Sequence, residues 1–219
     1  MDAALLATDA TVKVEDGAAT LDFTPAASTN GTGLIFICGS GVAAEAYAPL
    51  LRPIAAAGHA VFIVKLPYRF APFESHKQEA MERARHVMAG HPGISRWVIA
   101  GHSLGGALAC RLVHSDPKAF SALVLVGTTH PKREDLSSLA IPVTKVYGSN
   151  DGVAPPDRMF SHRGLLPKNT RWVAIQGGNH SQFGHYGHQL FDGKAATSRE
   201  AQQTTTRTVL IETLTEAAK

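Results

Sequence analysis

The feature that most constrains this chain is the run Arg96-Trp97-Val98-Ile99-Ala100-Gly101-His102-Ser103-Leu104-Gly105-Gly106, followed at residues 107–113 by a helix-forming segment with its apolar residues at helical spacing. The pattern reads as strand, tight turn and helix. A serine on such a turn has its hydroxyl pushed out at the carboxyl edge of a sheet. The turn closes only if the positions two before and two after it lack bulky side chains. Gly101 and Gly105 meet that demand, and Gly106 adds a small residue where helix and strand pack closely. The helix that begins at Leu104 aims free backbone N–H groups and the positive end of its dipole at whatever binds beside Ser103. A site of this kind stabilises negative charge next to a hydroxyl. The Gly-x-Ser-x-Gly pattern alone arises by chance in a chain with 20 glycines, so the flanking strand and helix carry the inference.

Along the rest of the chain, apolar strands alternate with helices. Residues 11–15 and 18–23 alternate apolar and polar side chains around Asp16-Gly17, which predicts an antiparallel hairpin at a sheet edge. Residues 34–38 and 60–64 are continuous apolar runs, the kind buried on both faces of a parallel sheet. Between them residues 43–57 read as a helix stopped by Gly58, and residues 74–88 read as a charged helix closed by Gly90 and Pro92. Further strands are expected at 122–126, 142–147 and 172–175, with a helix starting near Pro155 or Pro156. A final helix is expected from about Ser198, where Thr197 with Glu200 fits a capping box. The expected fold is therefore α/β, a mostly parallel central sheet with helices on both faces.

In open sheets of this kind, ligands bind just beyond the carboxyl ends of the strands. Ser40, Ser103, Asp151 and His180 all follow a predicted strand closely. An alcohol is a poor nucleophile at its own pKa, so Ser103 requires a base within hydrogen-bond reach and that base requires an orienting partner. His180, freed by Gly177-Gly178 and following the last strand, is the expected base among 11 histidines; His102, His130 and His185 are the other histidines near the expected site. Asp151 is the expected acid, with Asp157 and Asp192 as alternatives, while Asp116 belongs to the end of the helix after Ser103. Ser103, Asp151, His180 is one of the chain orders in which such triads occur. Attack on a carbonyl also creates an oxyanion. Its expected donors are the backbone N–H of Leu104 and one from the loop after residues 34–38, Ser40 or else Gly41.

With these residues in place the chain resembles the α/β-hydrolases, and within them the small, lid-free serine hydrolases related to dienelactone hydrolase. The resemblance is nearly chain-long. It rests on Ala46-Tyr47-Ala48-Pro49-Leu50-Leu51, Ala60-Val61-Phe62-Ile63-Val64-Lys65, Gly101-His102-Ser103-Leu104-Gly105-Gly106, Tyr147-Gly148-Ser149-Asn150-Asp151-Gly152 and Gly177-Gly178-Asn179-His180-Ser181-Gln182-Phe183-Gly184, with Tyr186-Gly187, Asp192-Gly193 and Ser198-Arg199-Glu200 in the tail. It implies Ser103 as nucleophile, Asp151 as acid, His180 as base, and N–H groups near Ser40 and Leu104 as the oxyanion hole. Dienelactone hydrolase itself uses a cysteine nucleophile, so the serine here argues against carrying over its substrate. Only a short stretch, residues 131–143, joins two core strands where many lipases insert a helical lid.

Composition narrows the function further. The chain of 219 residues, 44% hydrophobic, is expected to form one domain over residues 1–219. A formal charge of +3 with scattered basic residues gives no argument for nucleic acid. Cys38 and Cys110 lie in an apolar strand and an apolar helix, which implies buried free thiols rather than a disulfide or metal pair. No segment approaches a membrane-spanning length, and the first residues lack the basic start and apolar run of a signal peptide, so the expected location is cytoplasmic. No ligand cluster calls for a metal or an organic cofactor. The expected activity is cleavage of carboxylic esters or lactones, thioesters included, through an acyl-enzyme, on a small-molecule substrate with short acyl groups. The alternatives are acyl transfer, perhydrolysis or lyase chemistry with the same triad, or a non-catalytic binding protein on a hydrolase scaffold. No oligomeric state follows from the sequence.

Overall fold

The computed structural model describes residues 2–219. Its centre is an eight-stranded sheet in the order β1-β2-β4-β3-β5-β6-β7-β8. The alternating residues around Asp16-Gly17 form the edge hairpin of β1 (Val12–Asp16) and β2 (Thr20–Pro25), closed where Gly17 N–H donates to the Thr20 carbonyl at 2.9 Å. β2 runs antiparallel to β4 (Ala60–Val64). All remaining pairs are parallel, through β3 (Thr32–Ile37), β5 (Arg96–His102), β6 (Ala122–Val126), β7 (Val143–Gly148) and β8 (Arg171–Ile175). β3, β4 and β6 are buried along their whole length, as expected of parallel strands covered on both faces.

The strand order decides where the helices lie. The step from β3 to β4 through α1 (Ala48–Ala56) runs one way across the sheet. The steps from β4 to β5 through α2 (Glu74–Gly90) and from β5 to β6 through α3 (Leu104–Ser115) run the other way. Right-handed crossovers therefore put α1 on one face and α2 with α3 on the opposite face. The packing agrees: α2 touches α3, and α1 touches α5 (Arg199–Ala217), the helix that follows β8. The direction reverses between β3 and β5, and this topological switch opens a crevice beyond the carboxyl ends of those two strands. The segments 38–41 and 103–104 leave the sheet there.

Some elements differ from expectation. Residues 43–57 form a 3-10 turn, Ala44–Tyr47, and then α1, with Pro49, which has no backbone N–H to give, in the first turn of the α-helix and Pro53 inside it. The helix at Pro156 is a short one, α4 (Pro156–Phe160). The cap of α5 is Ser198, whose hydroxyl accepts from Ala201 N–H at 3.1 Å; the expected capping box at Thr197 does not form, and Thr197 N–H turns to the Gly177 carbonyl. Residues 127–142, between β6 and β7, carry no helix or strand, so no helical lid stands there. Both cysteines are buried and free. No helix among the described residues is long and apolar enough to cross a membrane.

The elbow depends on close backbone approach. A Cβ on Gly105 would run into the Ile37 carbonyl at the end of β3, and one on Gly101 would strike the Gly105 peptide. Gly105→Ala is therefore expected to lower the unfolding free energy by about 1–3 kcal/mol, the usual cost of overpacking. A urea melt checks this, and an unchanged midpoint would contradict the packing described.

Candidate active site

Ser103 links β5 to α3 with φ 55° and ψ −116°, a left-handed backbone that costs a non-glycine residue about 1–3 kcal/mol. The conformation is held from several sides. Ser103 N–H donates to the Val126 carbonyl at the end of β6 (3.0 Å), and Ser103 C=O accepts from Gly106 and Ala107 N–H at the start of α3 (3.1 and 3.3 Å). The Ser103 hydroxyl, half-buried, makes no hydrogen bond among the described residues.

Two loops on the same edge of the sheet supply an ion-pair geometry. His180 Nδ1 lies 2.9 Å from Asp151 Oδ2, and both side chains are buried. The other carboxylate oxygen, Oδ1, accepts from Val153 N–H (2.9 Å) and Ala154 N–H (2.6 Å), so both oxygens of the Asp151 carboxylate are hydrogen-bonded. His180 Nε2, on the far side of the ring, is buried and has no partner among the described residues. Asp151 leads out of β7 and His180 follows β8, so the sheet itself brings together residues 29 apart in sequence.

His102, the residue before Ser103, places this pair against the elbow. Its ring centroid is 4.5 Å from that of His180, and Phe183 packs on it at 5.5 Å. Burial, with His180 alongside, pushes the His102 pKa well below the usual imidazole range, so the ring is neutral. His102 Nδ1 shares a hydrogen bond of 2.9 Å with the Tyr47 hydroxyl, which also accepts from Gly39 N–H at 2.9 Å. The loop after β3 is thereby fixed beside the elbow. In that loop the Ser40 hydroxyl donates to the Phe70 carbonyl (3.2 Å), while the Ser40 N–H, like that of Leu104 at the first position of α3, has no partner among the described residues.

A cleft of about 560 Å³ opens beside Leu104. Leu104, Ala107, Leu108 and Arg111 of α3 form one wall, and Lys77 of α2 with the segment His130 to Glu134 forms the other. Burial and the nearby Lys132 and Lys145 cations push His130 down to about 4, so it too is neutral. Lys145, buried under this segment, donates from Nζ to the carbonyls of Thr128 (2.8 Å) and His130 (2.6 Å). Burial lowers its pKa to about 8. A larger cleft, about 780 Å³ between Leu139 and Trp172, contains none of the residues singled out above. No group of three or more His, Cys, Asp or Glu side chains among the described residues is placed to hold a metal ion.

The structure thus brings Asp151 and His180 into contact and sets His180 against the residue adjoining Ser103. No hydrogen bond joins the Ser103 hydroxyl to His180 Nε2. Catalytic hydrogen bonds are often long in a free enzyme and tighten around substrate. Asp192, an alternative acid by sequence, instead bonds backbone groups of the His180 loop, and Asp157 lies in the first turn of α4. His130 lines the cleft, whereas His185 lines a separate groove with Arg199. Sequence reasoning did not find Gln202 of α5, which accepts from Asn179 N–H (3.1 Å) and donates to the Asn179 carbonyl (2.7 Å), fixing the residue before His180. Nor did it find Ser149, whose hydroxyl accepts from Gly177 N–H at 2.8 Å. Gln202, Gln203, Thr206 and Thr213 are all polar residues on the buried face of α5, so the sequence does not single out Gln202.

Residues 33–204 match the family model described as "Alpha/beta hydrolase family". Among similar solved structures is an alpha/beta hydrolase enzyme from the metagenome of sediments from the lagoon of Mar Chica, Morocco. It is 16% identical with a TM-score of 0.69, over 93% of this chain and 98% of that one. A predicted CIB-like hydrolase from Thermoplasma acidophilum is 17% identical with a TM-score of 0.68, over 92% and 98%. The thioesterase domain from the curacin biosynthetic pathway is 14% identical with a TM-score of 0.59, over 80% and 95%. At such identities the likeness is one of fold. None of the curated proteins compared matches the chain.

Tyr47→Phe removes one oxygen and strands two buried groups, the Gly39 N–H and His102 Nδ1. The expected loss is about 1–3 kcal/mol of stability, read from urea unfolding. A variant as stable as the parent would show that the hydroxyl does not hold the loop.

Proposed function

Because the chain belongs to the alpha/beta hydrolase family, we propose that it is a serine hydrolase, akin to the dienelactone hydrolase group, that cleaves carboxylic esters or lactones, thioesters included. The observation that carries this reading is a strained Ser103 whose hydroxyl is uncommitted, beside a buried Asp151–His180 pair whose free Nε2 has no partner among the described residues. In this reading residues 1–219 act as one hydrolase domain.

Ser103 Oγ attacks the substrate carbonyl carbon as His180 Nε2 takes its proton. The carbonyl π pair moves to oxygen, and the resulting oxyanion is met by the Leu104 and Ser40 N–H groups. Asp151 keeps the proton on Nδ1, so Nε2 is the basic nitrogen, and it stabilises the imidazolium. The tetrahedral adduct collapses as the bond from the carbonyl carbon to the leaving oxygen, or sulfur in a thioester, breaks and His180 returns the proton to that atom. Water, deprotonated by His180, then releases the acid and restores Ser103. Neutral His102 supports this cycle, because a charged ring 4.5 Å away would repel the imidazolium. The open, charged cleft and the absence of a helical lid between β6 and β7 favour short acyl groups over long chains.

With 4-nitrophenyl acetate as substrate, Ser103→Ala is expected to lose roughly 10⁶ in turnover if the three groups act as a unit. Equal rates in the two proteins would end the assignment. Asp151→Asn presents the wrong tautomer and is expected to cost about 10⁴ in kcat with the fold intact by circular dichroism; an unaffected kcat would move the acid role elsewhere.

A further inference from the structure

The Asp151–His180 bond spans two loops that leave different strands, and nothing covalent near the bond sets their relative position. One side chain outside the triad touches both. Asp192 lies in the segment between the turn Ser181–Phe183 and α5. Its Oδ1 accepts from His180 N–H (3.1 Å), Gly152 N–H (3.2 Å) and its neighbour Gly193 N–H (2.8 Å). Its Oδ2 accepts from Ser181 N–H (2.8 Å) and from the Ser181 hydroxyl (2.7 Å). Gly152 is the residue after the acid and His180 carries the base, so one carboxylate gathers the peptide on each side of the pair.

We propose that Asp192 is a positioning residue whose carboxylate locks the Asp151 loop to the His180 loop and so sets the aim of the His180 imidazole. This rests on the reading of Asp151 and His180 as acid and base. Asp192 touches neither substrate nor the reacting atoms. Only an acceptor on both oxygens satisfies this set of donors, because every partner is an N–H or O–H. The carboxylate is ionised: hydrogen bonds from Ser181, His180 and Gly152 hold its pKa below the usual carboxylate range although burial opposes them. Flanking bonds extend the lock, from Asn179 Nδ2 to the Gly193 carbonyl (2.8 Å) and from Asn150 Nδ2 to the Lys194 carbonyl (3.0 Å).

The test compares Asp192→Asn with the parent by two readouts on folded protein, 4-nitrophenyl acetate kinetics and the downfield proton resonance of His180 Nδ1–H in the Asp151 hydrogen bond. The amide keeps the size of the side chain but turns two donor hydrogens toward groups that are themselves donors. The expected result is a fall in kcat of about 10²-fold, the scale of a small misplacement of a catalytic group, with KM unchanged and the downfield resonance shifted or lost. Ser181→Ala, which removes a single partner of Oδ2, is expected to move both readouts the same way by less, and it serves if Asp192→Asn does not fold. A kcat loss that only follows the unfolded fraction, with the resonance in place, would make Asp192 a plain structural residue and overturn the proposal. So would unchanged kinetics together with an unchanged resonance. If the parent hydrolyses no ester yet the resonance is lost in Asp192→Asn, the positioning role stands and the esterase reading falls.

Discussion

The rest of the molecule depends on the backbone of Ser103. A left-handed φ at a residue with a side chain costs free energy that something else must offset, and here the offset is packing. β3 and β5 lie side by side in the sheet, and the first turn of α3 folds back over the end of both. That approach is possible only with no side chain at Gly101 and Gly105, and it forces the chain to turn sharply between them. The turn sends the Ser103 hydroxyl outward and leaves the first N–H groups of α3 without intrahelical partners. The conformation that strains the backbone is thus the one that assembles a hydroxyl, free donors and the positive end of a helix dipole at one point.

Around that point the site is held by buried polar groups that satisfy one another. Tyr47 joins the loop after β3 to His102, and His102 packs on His180. Asp151 orients His180 while its second oxygen caps the turn that follows. Gln202 reaches from α5 to fix Asn179. Each of these groups would be costly to bury alone, by about 1–3 kcal/mol for an unpaired donor or acceptor. Networks of this kind rigidify because breaking one bond strands its partner. Two ring nitrogens at the centre of this network, His102 Nε2 and His180 Nε2, are buried without a partner among the described residues.

What could be read from the sequence follows the range of the forces involved. The apolar runs gave the strands of the parallel sheet because burial on both faces writes a local signature, and residues 122–126 carry it without interruption. The elbow was legible because its glycines and serine are neighbours in sequence. Asp151 and His180 were legible because both follow strands whose carboxyl ends share one edge. The supports were not. Gln202 meets Asn179 across 23 positions and Asp192 meets Gly152 across 40, and no local pattern encodes either contact. Tertiary context also decided the cap of α5. The Gly177 carbonyl takes the Thr197 N–H and leaves Ser198 to start the helix.

The central claim is that Ser103 is the nucleophile and that the elbow and the Asp151–His180 pair activate it. The most direct measurement is to treat the folded protein with a fluorophosphonate, digest it and locate the adduct by peptide mass spectrometry. The account predicts a single phosphonylated residue, Ser103, formed in the native protein and not in the urea-unfolded one. Modification at another serine, or none on the native protein, would contradict it.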